Sequence, residues 1–264
     1  MENKKFAVVT GASKGIGLCV SDMLSRAGYH VFGLSRTRGA NVSAEWIQCD
    51  VSSKEAVGAA YEEIFSKTDR IDVLVCNAGF GISGAAEFTD EEAFVSQLDI
   101  NFNGAVRTCL PVIDSMRKNG GGKIIFISSL GAIFPLPFQS FYSAGKAALN
   151  CFSDALGIEL APFNIETCAI MLNDVKTDFT AGRKKSSAGD DIYGGRIEKS
   201  VSKMEKSEQN GESPQEIADA VGRLLKRKKL PSHKIVGASN ELLGFLCKIF
   251  PTDLMLFILA KIYG

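Results

Sequence analysis

Short, almost wholly apolar runs alternate along the chain with longer segments in which apolar residues recur every three or four positions. The short runs predict buried strands, because strands covered on both faces of a parallel sheet carry few polar residues. They lie at residues 6–10, 30–34, 45–49, 72–76, 123–128, 166–171 and 233–237. The helical segments lie at residues 16–27, 54–67, 91–117, 142–160 and 214–228. This alternation predicts an α/β doubly wound sheet of about seven parallel strands with helices on both faces.

Local signals mark several element ends and give no sign of a second domain. The segment 16–27 stops at Gly28, a residue typical of helix C-termini. The helical segment 214–228 is preceded by Ser213, which stands at capping-box spacing from Glu216, and it has Pro214 at its first position. Because the chain shows no internal repeat and no linker, we expect residues 1–264 to form a single domain.

Composition excludes several classes of protein. Thirty basic residues balance thirty acidic ones, so no excess positive charge indicates nucleic acid. The seven cysteines are scattered without a C-x-x-C pair and only two histidines are present, so we expect no metal site and no disulfide framework. The amino terminus lacks the apolar region of a signal peptide. These features predict a cytoplasmic protein whose cysteines are buried as small hydrophobic residues.

The first predicted strand runs directly into a glycine-rich turn, TGASKGIG, at residues 10–17. Gly11, Gly15 and Gly17 stand where a strand turns into a helix, so the backbone can turn sharply and approach a pyrophosphate. The N–H groups of the helix N-terminus would then bind the phosphates. The position of the turn after the first strand of an α/β pattern predicts a dinucleotide site.

The end of the second predicted strand indicates which dinucleotide. A free ribose 2′-hydroxyl favours an acidic residue here, whereas a 2′-phosphate favours a cation. The chain has Ser35 followed by Arg36, no carboxylate between Leu34 and Val42, and Lys14 available from the glycine turn. Because the planar guanidinium of arginine matches phosphate oxygens, we predict NADP(H) as the cofactor.

A tyrosine and a lysine share one face of a predicted helix. Tyr142 precedes Lys146 by four residues in YSAGK, which is about one helical turn. Taken alone, the pair is typical of a solvated helix face, and only motifs elsewhere in the chain raise it to candidate chemistry.

Several ordered motifs together make the chain resemble the short-chain dehydrogenase/reductase superfamily over about residues 5–178, with weaker similarity to about residue 237. The resemblance implies a Rossmann-like fold, NADP(H)-dependent oxidoreductase activity and a homodimer or homotetramer. The motifs are TGASKGIG (10–17), CDV (49–51), NAG (77–79), NFNG (101–104), ISS (127–129) and YSAGK (142–146).

The resemblance also implies roles for individual residues. Asn101, Ser129, Tyr142 and Lys146 would form the catalytic tetrad, with Asn101 anchoring a water chain from a kinked helix. Further cofactor contacts are implied for the turn residues Ser13 and Ile16, for Asp50 and Val51 at the adenine, for Asn77, Ala78 and Gly79 along the cofactor, for Val175 and Thr177 at the nicotinamide, and for Tyr142 and Lys146 themselves.

The implied chemistry explains the tyrosine–lysine pair. In reduction, hydride attack on a carbonyl carbon builds negative charge on oxygen, to which Tyr142 would donate a proton while Ser129 holds the same oxygen. A free tyrosine has a pKa near ~10. Lys146, together with the positive charge of the oxidised nicotinamide, is expected to lower that pKa and to bind the nicotinamide ribose.

One stretch departs from the family pattern. Many members have Pro-Gly after the sixth strand, where this chain has Leu172 and Asn173 in MLNDVKTDF. Asparagine tolerates the left-handed backbone that glycine favours, so the turn can be kept. Asp174 places an unexpected carboxylate near the nicotinamide site, and the pattern gives no reason for it.

The substrate is predicted to be lipophilic. LVCNAGFG and LPFQSFYSAGKAALNCFSDAL resemble the branch of hydroxysteroid and retinol dehydrogenases and acyl-dihydroxyacetone-phosphate reductases. Residues 130–141, beside Ser129, are apolar and aromatic enough to line a pocket for such a molecule. The polar, glycine- and serine-rich residues 179–212, with a short helix near 192–206, are expected to form a lid over it.

The last segment, residues 241–264, is strongly apolar but interrupted by Lys248, Pro251, Asp253 and Lys261, which argue against a membrane span. We favour a terminal helix pair that packs over the substrate pocket or a subunit interface. The alternative is peripheral membrane contact assisted by the basic tract KRKK at 226–229.

Two other functions fit the same sequence. One is reduction of a 3-oxoacyl thioester or another small carbonyl. The other is a non-catalytic, NADP-binding regulator on the same fold, since fold alone does not determine function. The complete tetrad favours an enzyme, and the unusual stretch at 172–174 is the one feature that favours a regulator.

Overall fold

The computed structural model describes residues 4–39 and 43–263, and its centre is a seven-stranded parallel sheet. The strand order is β3-β2-β1-β4-β6-β7-β9, which confirms the predicted doubly wound fold and all seven predicted strands. The strands are β1 (Lys5–Thr10), β2 (Tyr29–Ser35), β3 (Glu45–Gln48), β4 (Val73–Cys76), β6 (Gly122–Ser129), β7 (Ile165–Leu172) and β9 (His233–Ile235). A separate pair consists of β5 (Ile82–Ser83) and β8 (Lys184–Lys185).

The strand order reverses next to β1, and this places the functional crevice. β1 pairs with β2 on one side, with Val8 opposite Phe32, and with β4 on the other, with Val8 opposite Leu74. Ligands of doubly wound sheets bind outside the carboxyl ends of the strands where the order reverses. The glycine turn after β1 and the NAG motif after β4 both lie at that edge.

Helices cover both faces of the sheet and bury two apolar layers. Val20 and Leu24 pack with Ile217 and Val221 on one face. The other face carries a larger core that includes the fully buried Phe126. Burial of these side chains is the main stabilising contribution to the fold. The helices are α1 (Gly15–Arg26), α2 (Lys54–Phe65), α3 (Glu91–Leu98), α4 (Gly104–Lys118), α5 (Ser140–Leu160), α6 (Arg196–Gln209), α7 (Pro214–Leu225), α8 (Ala238–Ile249) and α9 (Thr252–Tyr263).

The helix predicted at residues 91–117 is interrupted. A π-helical turn, Asp99–Asn103, separates α3 from α4. Its central residue, Asn101, is buried, and its side-chain amide both donates to and accepts from the backbone of Phe80 at 2.9 Å. A π turn re-aims a side chain inside a helix, and such turns are frequent at functional sites. The apolar periodicity continues through the interruption, so the sequence pattern predicted one helix.

The segment 179–212 is ordered by its own pairing and packing. β8 pairs with β5, and α6 begins later than the predicted helix at 192–206 because Gly194 and Gly195 have φ values of 62° and 78°. The apolar face of α6, which includes Ile197 and Met204, packs with the aromatic part of residues 130–141. The segment therefore lies against the region that the sequence predicted it to cover.

The carboxyl-terminal segment forms the predicted helix pair, α8 and α9, separated at Pro251. In the described part of the chain, no helix is long and apolar enough to cross a membrane. Much of the outer surface of the pair is apolar and exposed. These exposed side chains are Leu242, Leu243, Phe245, Ile249, Leu254, Leu256, Phe257, Ile258 and Ile262.

The basic tract at 226–229 lies away from this helix pair. Lys123, at the amino end of β6, donates to the carbonyl oxygens of Leu225 and Arg227 at 3.1 and 2.6 Å. The tract is therefore at the amino edge of the sheet, whereas α8 follows the carboxyl end of β9. Assistance of the helix pair by the tract at a membrane surface therefore stays a prediction, in which the two parts would contact the membrane from different edges of the sheet.

The cysteines follow the prediction with one clear exception. Cys49, Cys76, Cys109 and Cys168 are buried, and burial raises the pKa of the Cys76 thiol to about 12. Cys151 is exposed, because it lies on the outer face of α5. The side chain of Cys247 lies outside the described residues.

Candidate active site

The glycine turn forms one end of a cavity of about 580 Å³ at the carboxyl edge of the sheet. Gly11 and Gly15 have φ values of 66° and 55°, in the left-handed region that favours glycine. A Cβ atom on Gly17 would lie 2.3 Å from the carbonyl oxygen of Gly11, so this residue lets α1 begin directly against the turn. Gly17 is not a wall of the cavity. The turn residues that border it are Gly11, Ser13, Lys14, Gly15 and Ile16.

The start of α1 leaves its backbone donors available to the cavity. Lys14 occupies the N-cap position in an extended conformation, and its side chain makes no capping hydrogen bond. The first N–H groups of a helix lack intrahelical acceptors, and the helix dipole favours an anion there. A pyrophosphate therefore fits this end of the cavity, which is the arrangement predicted from the sequence.

The loop after β2 brings one cation, Arg36, to the cavity, which Lys14 of the glycine turn also borders. Arg36 is exposed, borders the cavity and belongs to none of the ion pairs formed by the described residues. The Ser35 hydroxyl donates to the carbonyl oxygen of Thr37 at 2.8 Å and accepts from the Trp46 indole at 3.0 Å. Ser35 therefore orders the loop, while the guanidinium of Arg36 and the ammonium of Lys14 are free to bind a phosphate.

Asp50 and Val51 both border the cavity. The Asp50 carboxylate accepts from the backbone and the hydroxyl of Ser52 at 3.0 and 2.7 Å. These hydrogen bonds, chiefly the one from the hydroxyl, lower the pKa of Asp50. The aspartate is thus held ionised and oriented at the position where the resemblance placed the adenine.

The NAG motif is fixed by Thr10, a residue that the sequence analysis did not single out. Its hydroxyl accepts from the backbone N–H groups of Asn77 and Ala78 at 2.9 and 3.0 Å. The Asn77 side chain in turn donates to the carbonyl oxygen of Thr10 at 2.9 Å. These bonds join β1 to β4 and place Asn77, Ala78 and Gly79 along the cavity.

Ser129 and Tyr142 meet at the centre of the cavity. Ser129 is the last residue of β6, and Tyr142 lies in the first turn of α5. The Ser129 hydroxyl accepts from the Gly131 N–H group at 3.0 Å, and Ser129 and Tyr142 both border the cavity. Two hydroxyl groups that point at one place in a buried cavity can hold and protonate a single substrate oxygen.

Lys146 lies one turn further along α5 and is buried, with only 6% of its surface exposed. Its ammonium donates to the carbonyl oxygen of Ile127 at 2.7 Å and lies 5.8 Å from the centre of the Tyr142 ring. Burial lowers the pKa of Lys146 to about 8. The predicted helical pair therefore faces the cavity and not the solvent.

The predicted lowering of the tyrosine pKa is not produced by the chain itself. Burial raises the pKa of Tyr142 and is the largest effect. The Ser129 hydroxyl lowers this pKa and is the next largest, followed by the charges of Glu208 and Asp174, which raise it, and of Arg183, which lowers it. The Lys146 ammonium donates to the carbonyl oxygen of Ile127 and is not among the groups that shift the Tyr142 pKa, so it does not reverse this. The sequence-based expectation included the positive nicotinamide, and the protein residues alone keep Tyr142 in its protonated, donating form.

Asn101 borders the cavity, but its side-chain amide is already committed to the backbone of Phe80. The kinked helix implied by the family resemblance is the π turn described above. Val175 and Thr177 also border the cavity, next to the glycine turn, where Thr177 lies 3.6 Å from the position of a Cβ on Gly15. Asn173 is not among the described non-glycine residues with positive φ, so the altered turn forms without a left-handed asparagine.

A buried polar cluster lies beside Tyr142 and was not found from the sequence. Arg183, whose side chain is fully buried, forms an ion pair with Glu208, and both border the cavity together with Asp174. The Phe179 ring lies near Tyr142 and Arg183, with its centre 5.9 Å from the centre of the tyrosine ring and 5.7 Å from the guanidinium carbon. The residues are distant in sequence, and no spacing pattern links them.

The far wall of the cavity is apolar. It is built from residues after β6, which the sequence analysis predicted, and from the terminal helix pair. The apolar and aromatic side chains of this wall are Leu130, Phe134, Leu136, Leu243, Met255, Ile258, Leu259, Ile262 and Tyr263.

These residues correspond to a known family over most of the chain. Residues 5–188 match the family model described as short chain dehydrogenase. The chain belongs to the short-chain dehydrogenase family. Members of this family are oxidoreductases that act on alcohol or carbonyl groups with nicotinamide cofactors, and the tetrad positions and the glycine turn described above are the parts that such a reaction requires.

Individual relatives match nearly the whole chain or about two thirds of it. A 3-ketodihydrosphingosine reductase of Bacteroides thetaiotaomicron is 37% identical over 97% of this chain and 97% of its own length. Human 17-beta-hydroxysteroid dehydrogenase type 1 is 33% identical over 65% of this chain and 57% of its own length. A short-chain dehydrogenase from Streptomyces avermitilis has a solved structure with a TM-score of 0.85, 28% identity and coverage of 99% and 98% of the two chains. These relatives agree with the predicted branch of the family.

Proposed function

We propose that this short-chain dehydrogenase is an NADP(H)-dependent enzyme that interconverts a lipophilic ketone and its secondary alcohol. The observation that carries the proposal is the position of Tyr142. It borders the cavity near Ser129 and Lys146, and the same cavity is lined by the glycine turn and by the apolar wall. A carbonyl at that point would have the cofactor on one side and an alkyl chain on the other.

The chain residues perform the proton half of the reaction. NADPH, when bound, supplies the hydride that the carbonyl carbon accepts. Ser129 orients the carbonyl oxygen, and the Tyr142 phenol gives its proton to that oxygen, so that a ketone becomes an alcohol. The raised pKa of Tyr142 keeps the proton on the phenol at neutral pH, which suits the direction of reduction. Lys146 then favours the phenolate that remains.

The loop after β2 supports a preference for NADP(H). Arg36 and Lys14 border the end of the cavity where the adenosine ribose belongs, and no carboxylate of this loop lies there. A guanidinium binds a phosphate through two parallel hydrogen bonds, whereas it gains little from a ribose hydroxyl.

Arg36→Asp is expected to invert this preference. The substituted carboxylate repels a 2′-phosphate and accepts hydrogen bonds from a ribose 2′-hydroxyl, so the ratio of kcat/KM for NADPH to that for NADH should fall by about 100-fold or more. Steady-state kinetics with both cofactors measures the ratio. Arg38→Asp is the matched control, because Arg38 is exposed in the same loop and does not border the cavity. An unchanged ratio in Arg36→Asp would place the phosphate site elsewhere.

The lipophilic substrate is supported by two independent features. The apolar wall offers contacts to an alkyl chain, and part of it comes from α8 and α9, whose outer faces are also apolar. The names of the relatives, a 3-ketodihydrosphingosine reductase and a hydroxysteroid dehydrogenase, point in the same direction.

The test is NADPH oxidation, followed by absorbance, with 3-ketodihydrosphingosine, a steroid ketone, a 3-oxoacyl thioester and a small sugar. Turnover of the lipid-like ketones well above that of the sugar would support the proposal. Preferred turnover of the thioester would assign the enzyme to acyl-chain reduction. NADPH binding without turnover of any carbonyl would favour a regulator over an enzyme.

Three further expectations from the sequence stay predictions. They are the homodimer or homotetramer, the cytoplasmic location, and the contact of α8 and α9 with a membrane surface. The helix pair borders the cavity through Leu243 and Ile258, which favours its role as a pocket wall. It also exposes apolar side chains on its outer face.

A further inference from the structure

The polar cluster beside Tyr142 contains a buried arginine with unused donors. The Arg183 side chain is fully buried, and its Nη2 group donates to Glu208. Its Nε and Nη1 groups have no hydrogen-bond partner, and Nη1 only faces Glu205 at 4.0 Å. Buried N–H groups of a guanidinium are costly when unsatisfied, so their presence at a cavity wall points to an acceptor that the ligand brings.

The fold holds this arginine in place by means that do not involve the substrate. Arg183 directly precedes β8, whose first residue donates to the Gly81 carbonyl oxygen at 3.0 Å and so ties the lid to the segment after β4. The Phe179 ring centre lies 5.7 Å from the guanidinium carbon and 5.9 Å from the centre of the Tyr142 ring. The donors therefore have a fixed position relative to the reacting carbonyl.

The same cluster carries one negative charge more than its cations compensate. Three carboxylates, those of Asp174, Glu205 and Glu208, accompany two cations, because Arg183 pairs with Glu208 and Lys185 pairs with Glu205 at 2.6 Å. Asp174 has no cation of its own within ion-pair distance among the described residues. This balance disfavours a phosphate or another anion as the ligand and favours a group with a positive charge.

Asp174 faces the cavity with part of its carboxylate available. One carboxylate oxygen, Oδ2, accepts from the Ser207 hydroxyl at 2.5 Å and from the Asn173 amide at 3.2 Å. In the described part of the chain no donor reaches Oδ1. Burial, assisted by the charge of Glu208, raises the pKa of Asp174, as is expected for a carboxylate that lacks a cation.

We propose that Asp174 and Arg183 form a head-group site for an amino alcohol, in which Asp174 binds an ammonium and Arg183 donates to a hydroxyl oxygen, both on carbons close to the ketone that Tyr142 protonates. The inference rests on the proposed reductase function and narrows it. The substrate is then a long-chain 2-amino ketone with a terminal hydroxyl, the chemical class to which 3-ketodihydrosphingosine belongs. Asp174, which interrupts the usual family pattern, acquires a role as a specificity residue.

The first test uses the unaltered enzyme and three ketones of equal chain length. They are 3-ketodihydrosphingosine, the same ketone with hydrogen in place of the amino group, and the same ketone with hydrogen in place of the terminal hydroxyl. Loss of the amino group should lower kcat/KM by about tenfold to 100-fold, mainly through KM, and loss of the hydroxyl by about tenfold. Equal kcat/KM values for the three ketones would overturn the proposal while leaving the ketone reductase intact.

The second test uses Asp174→Asn, which removes the charge and keeps the size. Its kcat/KM for 3-ketodihydrosphingosine should fall by about tenfold to 100-fold, while the ketone without the amino group is reduced within about threefold of the normal rate. Asp191→Asn is the matched control, because Asp191 is exposed in the same lid and does not border the cavity. If Asp174→Asn lowers kcat/KM for both ketones by the same factor, the carboxylate does not bind the amino group.

The arginine is tested by Arg183→Lys, which keeps a charge next to Glu208 but loses the planar fork. The variant should lose the preference for the terminal hydroxyl and keep the preference for the amino group. Retention of both preferences would remove Arg183 from the site. If the variant fails to fold, the comparison of the three ketones on the unaltered enzyme still tests whether the terminal hydroxyl is recognised. Absence of turnover with every ketone, by contrast, would count against the reductase function itself.

Discussion

Tyr142→Phe is expected to lower kcat by about 1,000-fold or more while leaving NADPH affinity within about twofold. The substitution removes the one hydroxyl that can give a proton to the carbonyl oxygen, and it leaves a ring of the same shape against Phe179. Because we propose that the phenol acts at the reacting centre and that the glycine turn and Arg36 supply most of the cofactor binding, chemistry and cofactor binding should separate. Single-turnover kinetics with 3-ketodihydrosphingosine, together with NADPH fluorescence titration, measures the two quantities.

The control for this experiment is Tyr193→Phe. Tyr193 is a lid tyrosine whose hydroxyl donates to Glu87 at 2.8 Å, away from the cavity, so its removal should change kcat by less than about twofold. Ser129→Ala provides a second comparison, since it removes the orienting hydroxyl and leaves the proton donor. Retention of more than about a tenth of the activity in Tyr142→Phe would require another acid, and the proposed roles of Ser129 and Tyr142 would be wrong.

The sheet could be predicted from the sequence because each of its strands carries its own signal. Val8, Phe32 and Leu74 belong to separate apolar runs, and each run is bounded by turn residues or a helical pattern. A parallel strand buried on both faces needs no knowledge of its partner to be recognised. The glycine turn was predictable for the same reason, since the steric demand of Gly11 and Gly17 is met within eight consecutive residues.

The buried polar cluster of Asp174, Arg183 and Glu208 could not be predicted, because its contacts join segments that carry no common sequence pattern. Arg183 reaches Glu208 across 25 residues, and its position depends on the pairing of two very short strands, β5 and β8. A strand of two residues has no periodicity to detect. In the sequence, Asp174 stood out only as a departure from the family pattern. A binding role could be proposed for it only after the structure placed it at the cavity with Arg183 and Glu208.

The π turn at Asn101 illustrates an intermediate case. The apolar periodicity of residues 91–117 passes through it without a break, so the pattern predicts one continuous helix. What inserts the extra residue is a tertiary contact, the paired hydrogen bonds between the Asn101 amide and the Phe80 backbone. Local sequence cannot report such a contact, and the kink followed only from the resemblance to a family.

Lys146→Met is expected to abolish turnover and yet to stabilise the protein in the absence of cofactor. Burial lowers the pKa of Lys146 to about 8, far below its value in an unfolded chain. At pH 7 the folded protein must keep a buried ammonium whose one hydrogen bond is to Ile127, which opposes folding by up to about 3 kcal/mol. Methionine has a similar length and no charge, so we expect the free energy of unfolding at pH 7 to rise by about 1–2 kcal/mol after the lost hydrogen bond is counted.

The pH dependence provides the decisive comparison. Between about pH 8 and pH 10.5 the unfolded chain still holds the Lys146 proton while the folded protein has lost it, so the unaltered protein becomes more stable relative to Lys146→Met as pH rises. Urea unfolding of both proteins at pH 7 and pH 10 should therefore show an advantage of the variant that shrinks at the higher pH. A variant that is less stable at both pH values would mean that Lys146 is a structural residue. The expected result would instead mean that the fold keeps a charge that destabilises it, and the reason for keeping it is the phenol one helical turn away.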